Sequence, residues 1–476
     1  MKRVAFFLIS LMLCVSLYSH PWKPSHYVII DTDAGIDDMR AITMLLASPD
    51  VRVLGIIASP GALSAENAFI KVKSLLNSFH HEGIPVSINR TSNFKPKEFP
   101  VALQTKWGDE TEINSGSADD FIIMTSAIMA AEKTKISFIC LGSMSTAYNL
   151  LRKIPGFGAQ VKDFIWSADG SGDRDGFNYN IDKNSSVGML RQEIPVRIVR
   201  KFSIADFYNE ELINMINKVG TPYGKKISEF FGSENLKEHK FSFTGTDEMA
   251  AIFLHNQDLF INKTLGNVSD CVPSDPAGLR ESMIKILSGE TAARNQVIKV
   301  FPSDPSFYFE DIQGSVNEII NKYGTDEWIS GVLANELHRH LGVFAIVGVK
   351  MGIRAREYFN TGVDEFTATS FAGSVPPLSC MNDGLQVSTG ATPGHGLLTV
   401  LNNTTSSPVA EFKYMGKKIR LTLKPEIAEK ISSELKEINY IYGLDSNIYW
   451  ELVRKNSIRY WLSLDRHDAF TIEELN

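Results

Sequence analysis

The chain has 476 residues, 43% hydrophobic and 22% charged, which is enough apolar side chain for two or three cores at roughly 150 residues per domain. That composition excludes a disordered, collagen-like or coiled-coil chain. Lys plus Arg total 48 against 55 Asp plus Glu, a formal net charge of −7. With no basic block there is no surface for a phosphate backbone, so no nucleic-acid partner is expected.

Residues 1–19 read as a signal peptide, in which Lys2 and Arg3 precede an apolar run over 4–17. That run is shorter than the roughly 20 residues of a spanning helix. Cleavage after Ser19 and export to the periplasm or the exterior are expected. A lipoprotein would use Cys14, but bulky Leu13 precedes it, so soluble export is preferred. No later segment is apolar and long enough for a stable membrane span. The cysteines after the signal, Cys140, Cys271 and Cys380, are too sparse for a disulfide framework.

Short β-branched runs at 27–30, 51–57, 136–141, 163–166 and 196–199 read as buried strands. Helical spacing falls between them at 41–47, 65–79, 122–131, 146–151 and 204–219. Such alternation predicts an α/β fold, an open, mostly parallel sheet with helices on both faces. Ligands of such sheets bind beyond the carboxyl ends of the strands. After about residue 300, Pro302 and Pro305 mark a connector. Helical stretches at 328–338 and 343–359 and a strand-like run at 412–423 then predict a C-terminal α+β domain. The expected organisation is a first domain over 26–315 and a second over 320–476.

Directly after the first strand stands Asp31-Thr32-Asp33-Ala34-Gly35-Ile36-Asp37-Asp38. Four carboxylates so close together repel unless a cation sits among them. Hard oxygen ligands on a loop suit Ca²⁺ or Mg²⁺. Helix capping near Asp38 accounts for one or two of them, not for four.

This octet resembles the signature of the inosine–uridine-preferring nucleoside hydrolase family, Asp-x-Asp-Pro-Gly-x-Asp-Asp, with Ala34 in the proline's place. The resemblance implies an open α/β sheet and a Ca²⁺ that holds the attacking water and the ribose hydroxyls. It assigns Asp33 and Asp38 as metal ligands and Asp37 as general base, also in contact with substrate. Leu141-Gly142-Ser143-Met144-Ser145-Thr146 resembles a family turn whose backbone carbonyl ligates the metal, a place taken by Ser145. Gly245-Thr246-Asp247-Glu248-Met249-Ala250 resembles the segment that supplies a distant carboxylate ligand, here Asp247. Gly176-Phe177-Asn178 keeps the family's ribose-binding asparagine as Asn178 and lacks its glutamate. Thr246 stands where the family has a histidine near the leaving base, and Ser59-Pro60-Gly61-Ala62 where it has an asparagine. Ser171-x-Asp173-x-Asp175-Gly176 with Asp182 imitates an EF-hand loop, but a preceding strand makes it a pocket rim.

Glu336-Leu337-His338-Arg339-His340-Leu341-Gly342, then Gly348 to Gly352, then the segment from Ser379 to Thr392, resemble domains related to the E-type subunit of formylmethanofuran dehydrogenase. The resemblance implies a second metal, Zn²⁺ or another transition metal, on Cys380 with His338 and His340. Positions i and i+2 diverge on a helix, so joint ligation by both histidines needs a turn, which Gly342 permits. Equally, a buried Cys380 with hydrogen-bonded histidines fits packing alone. Gly348 and Gly352 fit either a homo-oligomer seam or an internal helix contact. The leading expectation is a Ca²⁺-dependent hydrolase of N-ribosidic bonds acting on a small-molecule nucleoside or riboside. The alternative is a metal-dependent nucleoside-binding protein that no longer turns over.

Overall fold

The computed structural model describes residues 23–475 except 93, 169–175, 203–206, 233–246, 292–296 and 403–404. The signal segment with Cys14, the rim residues Ser171, Asp173 and Asp175, and Gly245 and Thr246 therefore lie outside the described residues. Two compact units emerge, Pro24–Asn295 with Glu357–Thr361, and Gln296–Arg356 with Gly362–Asn476.

The first unit is built on β1 (His26–Thr32), whose Val28, Ile29 and Ile30 are fully buried because both sheet faces are covered. β2 (Val51–Ala58), β3 (Val86–Ile88) and β4 (Asp119–Asp120) follow on one side. β5 (Ile136–Cys140), β6 (Val161–Ala168), β7 (Val196–Arg200), β8 (Phe260–Leu265) and β9 (Val268–Pro273) lie on the other. The order is β4-β3-β2-β1-β5-β6-β7-β9-β8, parallel throughout except for the β8–β9 hairpin. The predicted α/β sheet is therefore present. β8 escapes a sequence reading because five of its six residues are exposed and carry no apolar pattern. Within the stretch 204–219, expected to be helical, the structure has the helix Glu210–Asn217, capped by Asn209.

Register decides where the loops meet. Asp31 pairs with Ile57 and Cys140, Cys140 with Trp166, and Trp166 with Ile198. Residues 33, 59, 141 and 201 therefore leave the sheet at one edge. Strand order reverses between β1 and β5, so the aspartate loop stands at the topological switch point, where open α/β sheets bind ligands. The helix Ile36–Ala47 packs Met39, Ile42, Met44 and Leu45 into the core, which fixes its first turn, Asp37 and Asp38, against the sheet edge.

The second unit carries a mixed sheet of β10 (Thr367–Ser370), β11 (Leu398–Val400), β12 (Val409–Tyr414), β13 (Lys417–Leu423) and β14 (Phe470–Leu475), in the order β11-β10-β12-β13-β14. The run at 412–423 is a hairpin and not a single strand. Met415 and Gly416 have φ of 46° and 80°, the two-residue turn that matches strand twist. The helix Glu310–Tyr323 sets Ile312, Val316 and Ile319 in a cluster with Trp328 and Trp461. By contacts, residues 297–315 belong to the second unit, whereas the expected first domain ran to 315. An added Cβ would meet Met381 O at 2.1 Å at Gly348 and Ser388 Oγ at 2.1 Å at Gly352. Both glycines therefore serve a close internal approach to the helix Met381–Thr389. No helix of the described residues is long and apolar enough to cross a membrane.

Candidate metal and ribose site

The loop after β1 is folded by its own short side chains. Thr32 Oγ1 donates to Asp38 Oδ1 at 2.7 Å and accepts from Ala34 N at 3.0 Å, while Asp33 Oδ1 accepts from Gly35 N at 3.3 Å. Ala34 has φ of 56°, which proline, fixed near −65°, cannot adopt. The exchange of proline for alanine therefore goes with a different turn. Gly61 is required here, because an added Cβ would lie 1.9 Å from Asp33 Oδ2. With Gly61 in place, the 59–62 loop reaches the cluster, where the Ala62 backbone hydrogen-bonds the Asp33 carboxylate and Ser59 Oγ donates to Asp31 Oδ2 at 3.1 Å.

Asp37, Asp38 and Asp247 each place a carboxylate oxygen within 4.8 Å of the others, the one such trio of ligand-type side chains among the described residues. Asp247 arrives from the start of the helix Glu248–His255 and accepts from Ser167 Oγ at the end of β6. Its Oδ2 is buried without a hydrogen-bond donor. Asp33 adjoins the trio, its N–H donating to Asp38 Oδ1 at 3.3 Å. The structure thus brings Asp33, Asp37, Asp38 and Asp247 together, with Asp37 rather than Asp33 in the tightest group. Ser145, at the start of the helix Ser145–Lys153, is buried, and its hydroxyl lies 2.9 Å from Ser143 Oγ. Asn178 is buried and donates its amide to Leu141 O at 2.6 Å and Ser167 O at 3.3 Å, tying the ends of β5 and β6. Asp182, the last position of the EF-hand lookalike, caps the helix Lys183–Leu190 through Ser185 N.

Charge is poorly balanced here. Burial, then repulsion from Asp33, Asp247 and Asp37, holds Asp38 well above the usual carboxylate range. Burial first and Asp37 next push Asp247 up to about 8, and burial chiefly pushes Asp33 up to about 6 and Asp31 up to about 7. Burial also raises Asp37, but Lys201 and Arg40 outweigh it and hold that carboxyl below its ordinary value. Lys201, the first residue after β7, lies 3.0 Å from Asp37 Oδ2 and 3.0 Å from Asp247 Oδ1. Arg40 is committed to Glu248, whose carboxylate also accepts from Tyr208. One ammonium among four carboxylates leaves a strong field for a further cation, so the donor set fits a divalent ion. Sequence reasoning missed Lys201. Its one signal was its place in a loop directly after a predicted strand.

In the second unit the helix Thr325–His338 ends at His338, and Arg339 turns the chain with φ of 69°. His340 is thereby freed from the helix, and its ring centroid lies 4.1 Å from that of His338. His338 Nδ1 lies 2.7 Å from Asp383 Oδ2, and His338 Nε2 is buried without a hydrogen-bond partner. Cys380 is half-buried, and burial, then the charge of Asp383, pushes its thiol up to about 11. His338, His340 and Cys380 do not form a trio as tight as that of the aspartates.

Known proteins place these units. A probable uridine nucleosidase 1 from Oryza sativa subsp. japonica is 24% identical over 149 residues, 29% of this chain and 45% of that one, so the match spans less than half of that relative. A purine-preferring ribonucleoside hydrolase from Gardnerella vaginalis superposes with a TM-score of 0.45 at 13% identity, over 56% of this chain and 99% of the other. An inosine-uridine preferring nucleoside hydrolase from Bacillus anthracis does so with a TM-score of 0.43 at 15% identity, over 56% and 99%. Residues 337–442 match the family described as FmdE, molybdenum formylmethanofuran dehydrogenase operon. Residues 28–304, more than half of the chain, match the inosine-uridine preferring nucleoside hydrolase family, and the chain belongs to that family.

Proposed function

We propose that the first unit is a divalent-cation-dependent hydrolase of N-ribosidic bonds, with Ca²⁺ as the ion. The observation that carries this reading is the trio at the switch point with the donorless, buried Asp247 Oδ2. Asp38 and Asp247 would hold the ion, with Asp33 and the Ser145 carbonyl completing its oxygen set. Bound there, Ca²⁺ supplies a Lewis acid that orients water and ribose hydroxyls. Asp37, kept ionised by Lys201 and Arg40, accepts the proton of the attacking water. The amide nitrogen of Asn178 is committed to backbone carbonyls, so its oxygen is the atom that meets a sugar hydroxyl. The substrate is a small-molecule nucleoside or riboside, met after export directed by residues 1–19.

A nucleoside-binding protein without turnover is the second reading, favoured by the ion pair between Lys201 and the proposed base Asp37. Hydrolysis of inosine, uridine and 4-nitrophenyl riboside, with Ca²⁺ or with a chelator, decides between them. Ca²⁺-dependent cleavage is expected, fastest for the riboside whose leaving group needs no proton. A general acid is worth about 10²–10⁴-fold, and Thr246 cannot serve as one near neutral pH. Intact Ca²⁺ binding with no cleavage of any of the three would establish the binding protein.

For the second unit we propose a transition-metal site, Zn²⁺ being the reference ion, on Cys380 with His338 or His340. Support comes from the donorless Nε2 of His338 and from Asp383 on its Nδ1, the arrangement that orients a ligating imidazole. Elemental analysis should show Cys380→Ser losing about one equivalent of metal. An unchanged content would leave Cys380 as a packing residue.

A further inference from the structure

Lys201 emerges at the sheet edge with its side chain only 12% exposed, and it bridges two members of the carboxylate trio at 3.0 Å each. Those members, Asp37 and Asp247, come from two different helices. The ammonium therefore engages Asp247 Oδ1, on a carboxylate that the proposed ion would use. The neighbouring cations are engaged elsewhere, Arg200 with Asp270 at 2.6 Å and Arg40 with Glu248.

We propose that Lys201 is a tethered competitor of the divalent ion for Asp247, so that metal occupancy requires its ammonium to leave that carboxylate. The inference rests on the metal reading above and goes beyond it. A cation carried on the chain is present at an effectively constant local concentration, whereas a free ion binds by mass action. The site is consequently graded by the surrounding divalent concentration. When that concentration is low the cluster stays partly neutralised and the fold persists without the ion. Ca²⁺ can displace the ammonium profitably, because it brings two charges and takes six to eight oxygens where the ammonium satisfies at most three.

Calorimetric titration of Ca²⁺ into the full chain tests this, using the wild type, Lys201→Met and Lys201→Arg. Lys201→Met should bind Ca²⁺ at least about ten-fold more tightly, equivalent to about 1.4 kcal/mol. Lys201→Arg, which keeps the charge, should stay close to the wild type. Equal, measurable affinities for the wild type and Lys201→Met would overturn the competitor role and leave the metal reading standing. No binding by either folded protein would overturn both. If Lys201→Met folds only with Ca²⁺ present, its melting temperature should rise at lower Ca²⁺ than that of the wild type. A rise at the same Ca²⁺ concentration would overturn the proposal.

Discussion

Asp38→Ala is expected to abolish Ca²⁺ binding and turnover together, whereas Asp37→Asn should retain the ion and lose about 10²–10⁴-fold in turnover, the usual contribution of a positioned base. The two aspartates are neighbours on one helical turn, but their surroundings separate them. Asp38 is buried, accepts from Thr32 Oγ1 and Asp33 N, and is repelled by three other carboxylates, so it gains most from a cation. Asp37 is partly exposed and already has a cationic partner in Lys201, which holds it ionised and leaves it able to accept a proton. Calorimetry with Ca²⁺, run beside a release assay on 4-nitrophenyl riboside, reads both effects. Equal loss of Ca²⁺ affinity in the two variants would make Asp37 a ligand, as its membership of the tight trio allows.

Ca²⁺ affinity is expected to fall steeply as the pH drops, by about 50-fold from pH 8 to pH 6 if one proton is displaced from a carboxyl titrating near pH 8. The sign follows from the raised carboxyls. Without metal, Asp247 titrates near pH 8 and Asp33 near pH 6, so at pH 6 Asp247 carries a proton that Ca²⁺ must displace. The same groups act on the metal-free fold in the opposite sense. A carboxyl protonated in the fold while ionised in the unfolded chain favours folding at low pH, and that advantage is lost as the pH climbs toward 8. Asp37, with its lowered value, contributes in the other direction and is outnumbered by Asp31, Asp33, Asp38 and Asp247. The melting-temperature gain on adding Ca²⁺ should therefore be small at pH 5 and largest at pH 8. Because His26, His81 and His255, whose pKa values burial lowers, are common to both measurements, their own pH dependence cancels in the difference. A gain independent of pH would mean that the ion does not bind through these carboxylates.

What the sequence determined alone was the local part of this design. Buried strands with β-branched runs, the octet from Asp31 to Asp38 and the alternation of elements are properties of short windows, so the parallel sheet and the aspartate loop could be read from them. Asp247 could be placed too, through a motif whose spacing to the octet is kept. The turn at Met415-Gly416 and the exposed strand β8 could not, because neither carries an apolar period. Tertiary structure alone decided the charge balance. Lys201 stands 164 residues from Asp37, and Arg40 stands 208 from Glu248. These pairs exist because parallel register brings the ends of β1 and β7 to one edge and packs the helices Ile36–Ala47 and Glu248–His255 together. Tertiary structure likewise made the amide nitrogen of Asn178 a clasp between β5 and β6, and assigned Gly348 and Gly352 to an internal helix contact. Coulomb energy and close packing depend on distance in space, and residue order alone does not specify which distant side chains the folded sheet will bring together.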